Sequence, residues 1–230
     1  DSGILWNATK VRQMADNEYA EELPKVCFRG FDDIRNVPGN ELIEELASSY
    51  SRAGLDDTIV ITRSNKLAIR YNNGIRNMVL GNEDELCSGD RLMIVKNNYY
   101  WTEKEKLPLP FIANGDRVKV ERVRNIRELY GFRFADVTMS FPDYDNIELT
   151  ATVNLNTLRS EAPALTREES EQLYNKVMED YQHIPLKADR LKALRQDIYY
   201  NALQVKYAYA VTCHKAQGGQ WSHVYVDQGY

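Results

Sequence analysis

The chain has 230 residues and a net charge of −5, with 43% hydrophobic, 27% charged and 10% aromatic residues. This balance is typical of a globular protein of one or two domains; it excludes disorder over most of the chain, and no apolar run is long enough to predict a membrane-spanning helix. Residues 61–135 hold 14 Lys and Arg against 9 Asp and Glu, which fits either a localised anion-binding surface or a solvated β-rich segment.

The first part of the chain predicts alternating helices and strands. Apolar spacing predicts a helix over 4–16 and a second helix that ends at Gly54. The β-branched run Thr58–Thr62 predicts a buried strand, and either Ser64 or Asn65 is expected to cap the helix that follows it. Strand, polar turn and helix form the α/β pattern, in which chemistry is concentrated where strands end.

From Cys87 the pattern changes to short β-type runs separated by turn signals. Strands are predicted at 90–95, 118–123, 132–139 and 147–153. Several short strands in so few residues predict a small barrel or curled sheet inserted into the α/β framework. Tyr99, Tyr100 and Trp101, beside Lys96, form either a base-stacking surface or the core of this barrel, and we favour the core.

The last part of the chain predicts two helices and two strands, at Thr166–Tyr181, Ala188–Ala202, Tyr207–Val211 and His223–Asp227. Between the two strands lies the turn TCHKAQGG. There the side chains of Thr212, His214, Lys215 and Gln217 can converge on an anion together with free backbone N–H groups. The pair Gly218–Gly219 allows a backbone or ligand to approach closely. A glycine-rich turn with ordinary surface residues would produce the same pattern.

The start of the chain and its cysteines indicate a location. Asp1 is not preceded by an initiator Met or a signal peptide, so we expect a cut inside a longer chain. Cys27, Cys87 and Cys213 are odd in number and far apart, which disfavours a disulfide framework or a zinc site. We expect three reduced, mostly buried thiols, no metal site and a cytoplasmic protein.

The segment Tyr207–Asp227 resembles motif V of superfamily 1 DNA helicases, specifically the RecD-like branch (exodeoxyribonuclease V alpha subunit and its relatives). That motif reads approximately A-[IV]-T-x-H-K-[SA]-Q-G-x-E-[FW], and this chain departs from it at Gln220, where the family has an acidic residue that holds the nucleotide ribose. Further segments resemble, in family order, the stretch after motif IV, motif IVa and the start of the SH3-like insert called domain 2B: Asp1–Ala8, Thr58–Arg76, Gly89–Tyr99 and Asn114–Asp116.

The resemblance implies an α/β fold, a RecA-like (P-loop NTPase type) second motor domain with an inserted SH3-like β-barrel. The expected boundaries are 1–88 for the first part of domain 2A, 89–160 for the 2B insert, 161–204 for a helical segment without a family counterpart, and 205–230 for the second part of domain 2A with motif V.

The implied activity is ATP-dependent 5′-to-3′ translocation on single-stranded DNA, in DNA repair or recombination, with ATP and Mg²⁺ as cofactors of a longer parent protein. The sequence contains no G-x-x-x-x-G-K-[ST] loop, so we predict no catalytic residue and no ATP hydrolysis by this chain alone. The expected partners are single-stranded DNA and a first motor domain, without a membrane; subunits of a nuclease complex are left open.

By the same resemblance, the DNA-contacting residues are expected to be Thr212, His214, Lys215, Arg63, Ser64 and Asn65, and the nucleotide-contacting residues Gln217, Gly218 and Gln220. Thr212 and Lys215 could instead sense the nucleotide in the cleft between motor domains. Capping of turns and helices is the alternative role for these polar side chains. Gln220 in place of the acid also leaves open a degenerate, non-catalytic module that only holds nucleic acid or a protein.

Overall fold

The computed structural model describes residues 2–17 and 24–228, so Asp1 lies outside the described residues. The chain divides into two compact units, 1–46 and 47–230. The α-helices are α1 (Gly3–Ala15), α2 (Leu42–Ala53), α3 (Asn65–Gly74), α4 (Tyr100–Lys104), α5 (Arg167–Asp180), α6 (Lys187–Arg195) and α7 (Cys213–Ala216). The strands are β1 (Thr58–Thr62), β2 (Arg91–Ile94), β3 (Arg117–Leu129), β4 (Phe132–Phe141), β5 (Ile147–Asn154), β6 (Leu203–Tyr207), β7 (Ala210–Thr212) and β8 (His223–Val226). None of the helices in the described ranges is long and apolar enough to cross a membrane.

In the first unit, α1 is tied to the loop that follows it. The helix was predicted over 4–16 and is found within one residue of those bounds. Asp33 accepts hydrogen bonds from the Ser2 hydroxyl at 2.6 Å and the Gly3 backbone at 2.7 Å. The buried Asn7 amide donates to the Cys27 carbonyl at 2.9 Å and accepts from its N–H at 2.8 Å. Side chains therefore hydrogen-bond backbone groups that have no partner within a helix or a strand.

In the second unit, a parallel sheet has the strand order β7-β1-β8. The predicted strand Thr58–Thr62 is confirmed at both ends and forms the centre of this sheet. Ser64, rather than Asn65, caps α3, because its hydroxyl accepts from the Leu67 N–H at 3.2 Å. A π-helical turn, Ile75–Val79, continues α3 toward the barrel.

The barrel is closed and has the order β2-β3-β4-β5-β6. All four predicted strands are present, although β3 continues past 123 to Leu129 through register shifts that keep it paired with β4. The fifth strand, β6, comes after the helical segment and pairs with both β2 and β5. The structure is therefore mixed α/β with an inserted barrel, as expected.

The predicted single strand Tyr207–Val211 is wrong, because the chain leaves the barrel at Tyr207 and begins β7 at Ala210. Asn72, which is buried on α3, holds this break. Its amide donates to the Ala210 carbonyl at 2.9 Å and to the Tyr207 carbonyl at 3.3 Å, and it accepts from the Ala210 N–H at 2.8 Å. The apolar run that begins at Tyr207 thus contributes the end of β6 to the barrel and β7 to the parallel sheet.

The helical segment packs against the barrel. The predicted capping box is present at α5, where Thr166 and Glu169 bond reciprocally. The predicted helix 188–202 ends early, at Arg195, because the Asp197 carboxylate accepts from two following backbone N–H groups and forms a turn instead. Apolar side chains of both α5 and α6 share one cluster with the barrel. This cluster is formed by Phe132, Phe134, Leu173, Val177, Leu194 and Ala202.

A buried ion pair lies where the parallel sheet meets the barrel. Arg76 is 2% exposed and donates to both oxygens of Asp90, which is 0% exposed, at 2.9 and 2.8 Å. The Tyr209 hydroxyl and the Cys87 N–H donate to the same carboxylate at 2.7 and 2.9 Å. Burial would raise the pKa of Asp90, but the hydrogen bonds from Arg76, Cys87 and Tyr209 outweigh it and hold that pKa below its ordinary value.

Candidate nucleic-acid interface

Two of the predicted segments meet at one edge of the parallel sheet. β1 and β7 are parallel neighbours with Thr62 opposite Thr212, so the residues that follow each strand emerge side by side. The single Thr62 hydroxyl proton is shared between the Ser64 carbonyl at 3.0 Å and the Val211 carbonyl of the neighbouring strand at 3.4 Å. Asn65, Thr212 and Lys215 line one open groove at this edge.

The predicted side chains at this edge differ in exposure. Arg63 and His214 are exposed, whereas Asn65, Thr212 and Lys215 are half-buried. The Lys215 ammonium donates to the side-chain oxygen of Asn114 in the barrel, and desolvation lowers the pKa of Lys215.

Capping is the alternative role for these residues, and the structure shows it for Ser64. Within the described chain the Thr212 side chain does not cap α7, although Thr212 occupies its N-cap position. Ser64 does cap α3 by accepting a hydrogen bond, so a contact of Ser64 with a DNA phosphate would use its O–H, which the cap leaves free to donate. The DNA-contacting roles of all six residues stay predictions.

Lys206, which sequence reasoning missed, lines the same groove. This half-buried lysine donates to the Thr157 carbonyl at 3.3 Å and to the Ser160 carbonyl. Burial lowers the pKa of Lys206 to about 8. A lysine inside the apolar strand LQVKY was the available signal, because a buried cation normally has a partner or a ligand.

Acidic residues are few in the segments that form this edge, although Asp227 follows β8 there and its N–H donates to the Ile61 carbonyl at 2.9 Å. Residues 58–82 and 198–226, which supply both segments, contain no Asp or Glu although the chain as a whole is acidic. The basic stretch 61–135 behaves differently, because many of its arginines neutralise carboxylates. These pairs are Arg76–Asp90, Arg91–Asp56, Arg117–Asp143, Arg127–Asp136 and Arg133–Glu85. The positive surplus of residues 61–135 is therefore partly neutralised within the fold.

The predicted nucleotide-contacting residues Gln217, Gly218 and Gln220 lie on an exposed turn between α7 and β8. Gly218 has φ +85°, a conformation that favours glycine. At Gly219 an added Cβ would lie 2.1 Å from the Trp221 ring, so here the absent side chain makes room for Trp221 rather than for a ligand. Trp221 packs against the cluster of Ile59, Met93, Ala208, Val211 and Ala216. The nucleotide contacts stay a prediction.

The exposure of the cysteines and the placement of possible metal ligands bear on two of the expectations from the sequence. Cys27 and Cys87 are half-buried and Cys213 is exposed, so the expectation of mostly buried thiols is wrong for Cys213. In the ranges 2–17 and 24–228, no group of three His, Cys, Asp or Glu side chains is placed to hold a metal ion.

A comparison with protein families matches residues 207–230 to the UvrD-like helicase C-terminal domain. The match covers β7, α7, the glycine turn and β8, the segment that resembles motif V. It supports a superfamily 1 helicase family and a helicase-like function. A search of curated proteins finds no match.

Proposed function

We propose that this chain is the second motor domain of a RecD-like superfamily 1 DNA helicase and that the edge described above contacts the backbone of single-stranded DNA. The observation that carries the proposal is the meeting of Arg63–Asn65 with Thr212–Lys215 across the parallel strands β1 and β7. The acid-free stretches 58–82 and 198–226 and the helicase match at 207–230 support it.

The chemistry of this edge suits phosphate groups. Arg63 and Lys215 supply positive charge, and the half-buried Thr212 and Asn65 supply hydrogen-bonding groups beside them. Such contacts position a strand without reading its bases, as a translocating protein requires. The partial desolvation of Lys215 strengthens its attraction to an anion, because the surroundings screen the charge less than water does.

We further propose that the parallel sheet is the RecA-like core and that the closed barrel is the SH3-like domain 2B. Gln217, Gly218 and Gln220 would then face a nucleotide that a first motor domain holds with Mg²⁺. ATP supplies the energy for closing and opening the two motor domains. Because the nucleotide-facing turn directly follows α7, the four-residue helix that carries His214 and Lys215, closure at one would move the other.

The DNA contact is tested by fluorescence anisotropy with a labelled single-stranded oligonucleotide over a range of salt concentrations. Lys215→Ala and Arg63→Ala should each weaken binding regardless of base sequence and reduce the slope of log K against log salt by about one. Lys192→Ala, which removes an exposed lysine of α6, is the matched control. Equal affinities and slopes for all three variants and the wild type would refute the assignment.

The motor is tested by ATP hydrolysis of the full-length parent polypeptide with and without single-stranded DNA. Strong stimulation that falls in Lys215→Ala is the result expected of a motor. DNA binding without hydrolysis would instead favour the non-catalytic module, the alternative that Gln220 in the place of an acid suggests.

A further inference from the structure

The aromatic cluster at 99–101 divides into a buried part and an exposed part. Trp101 is 4% exposed, and its indole N–H donates to the Asn201 carbonyl at 2.9 Å, so it belongs to the core as favoured from the sequence. Tyr99 is 60% exposed, and its ring stacks on Phe111 with centroids 5.0 Å apart and planes at 30°. Phe111 thus supports one face of Tyr99 while much of that side chain remains open to water.

Tyr99 lies in a groove between the segment 96–100 and the helical segment. Two further tyrosines, Tyr100 and Tyr200, and the cation Lys96 line the same groove. The remaining side chains that line it are neutral, namely Asn97, Asn98, Leu165, Ser170, Leu173, Asn201, Ala202 and Gln204. Aromatic faces, amides and one lysine without a carboxylate suit a ligand that has flat rings and negative charge.

Residues 112–114 link the segment that carries Tyr99 to the edge that carries Lys215. Asn98 and Ile112 form an antiparallel bridge, and the Asn97 side chain accepts from the Asn114 N–H at 2.7 Å. Asn114 is also the residue that Lys215 contacts. Phe111 and Asn114 are three residues apart in the chain, a separation of at most about 10 Å. Tyr99 contacts Phe111 and Lys215 contacts Asn114, so the two side chains lie at opposite ends of this short segment, a span that several nucleotides of one strand can cover.

We propose that Tyr99, supported by Phe111, stacks on an unpaired base of the strand whose phosphates contact Lys215. This inference rests on the proposed DNA-contacting function and adds a specific base-binding site in the barrel. Stacking tolerates any base sequence, because every base has an aromatic face. The contact with Phe111 holds the Tyr99 ring in place before binding, which reduces the entropy lost when the base arrives.

The test is anisotropy with a single-stranded oligonucleotide and with the same strand carrying abasic positions. Tyr99→Ala should weaken binding of the intact strand by about 5- to 150-fold and leave the salt slope unchanged, since no phosphate contact is lost. Tyr99→Phe keeps the ring and should bind close to the wild type. Abasic positions should weaken the wild type but hardly affect Tyr99→Ala. Circular dichroism checks that the variants fold.

Each outcome separates this inference from the proposed function. If Tyr99→Ala binds like the wild type while Lys215→Ala binds more weakly, the base site is overturned and the phosphate site stands. If the wild type does not bind single-stranded DNA, both fail. If Tyr99→Ala keeps its DNA affinity but loses binding to a proline-rich peptide, the groove takes a peptide and the base site is overturned.

Discussion

Removing the cation of the buried pair Arg76–Asp90 should destabilise the fold where the parallel sheet contacts the barrel. Arg76→Met keeps an unbranched side chain of moderate size but leaves the fully buried Asp90 carboxylate with no opposite charge. Breaking a buried pair in this way costs about 3–5 kcal/mol, because the remaining charge stays out of water without compensation. For a chain of this size the loss corresponds to a fall in Tm of about 6–20 °C.

The matched control is Arg167→Met, which breaks a pair of the same chemistry on the surface of α5. Arg167 and Glu171 have side chains that are 91% and 62% exposed and bond at 2.9 Å across one helical turn. Such a pair contributes about 0.5 kcal/mol or less. The double variant Arg76→Met with Asp90→Asn should recover part of the loss, because it leaves no charge unpaired.

The destabilisation by Arg76→Met should also depend on pH. In the wild type the pKa of Asp90 is lowered, so its contribution is present above the unfolded-state pKa of about 3.9 and is lost as pH falls through the folded-state value. Without Arg76, burial raises that pKa, and the variant loses stability as pH rises through it. Urea unfolding at about pH 4.5 and pH 7.5 should therefore show a larger difference from the wild type at the higher pH. A loss no greater than that of Arg167→Met, or one equal at both pH values, would refute this account.

Three further predictions concern Gly219 in the glycine turn, Cys213 on α7, and Lys206 in the groove that Lys215 also lines. Gly219→Ala should cost about 1–3 kcal/mol in urea unfolding, because the Cβ displaces Trp221, whereas Gly39→Ala has open space and should cost much less. Alkylation of the exposed Cys213, followed by mass spectrometry, should slow when single-stranded DNA is bound; an unchanged rate at saturation would place the strand elsewhere. The lowered pKa of Lys206, about 8, means that wild-type stability rises between about pH 8 and pH 10.4 as the folded state loses its buried charge first, and Lys206→Met should flatten that rise in urea midpoints.

Local chemistry predicted the elements whose boundaries depend on neighbouring residues. The strand Thr58–Thr62 was found because a β-branched run is followed at once by Ser64, a helix cap. The capping box at Thr166 was recognised for the same reason. The pairing of β1 with β7 lies beyond such reasoning, since their partners Thr62 and Thr212 are far apart in the chain, and it is this pairing that assembles the site.

The boundaries that the sequence did not predict depend on single side chains that act at a distance. Nothing in the apolar run from Tyr207 shows that it divides between two sheets; the division is made by Asn72, which belongs to α3. Lys206 is another case, because its lysine is visible in the sequence but its burial depends on the carbonyls of Thr157 and Ser160. Hydropathy patterns contain no information about such contacts.

The same side chains connect the barrel to the candidate edge where β1 and β7 end. Only Ala208 and Tyr209 separate β6 of the barrel from β7 of the sheet. Asn72 holds both ends of this connection, through Tyr207 and Ala210, and the Tyr209–Asp90 hydrogen bond holds its middle. Lys215, four residues after Val211, contacts the barrel again through Asn114. A movement of the barrel relative to the sheet would have to break these polar contacts, several of which are buried, and each buried group left unpaired costs about 1–3 kcal/mol. The barrel and the sheet edge are therefore held as one surface, on which a strand could contact Lys215 and Tyr99 together.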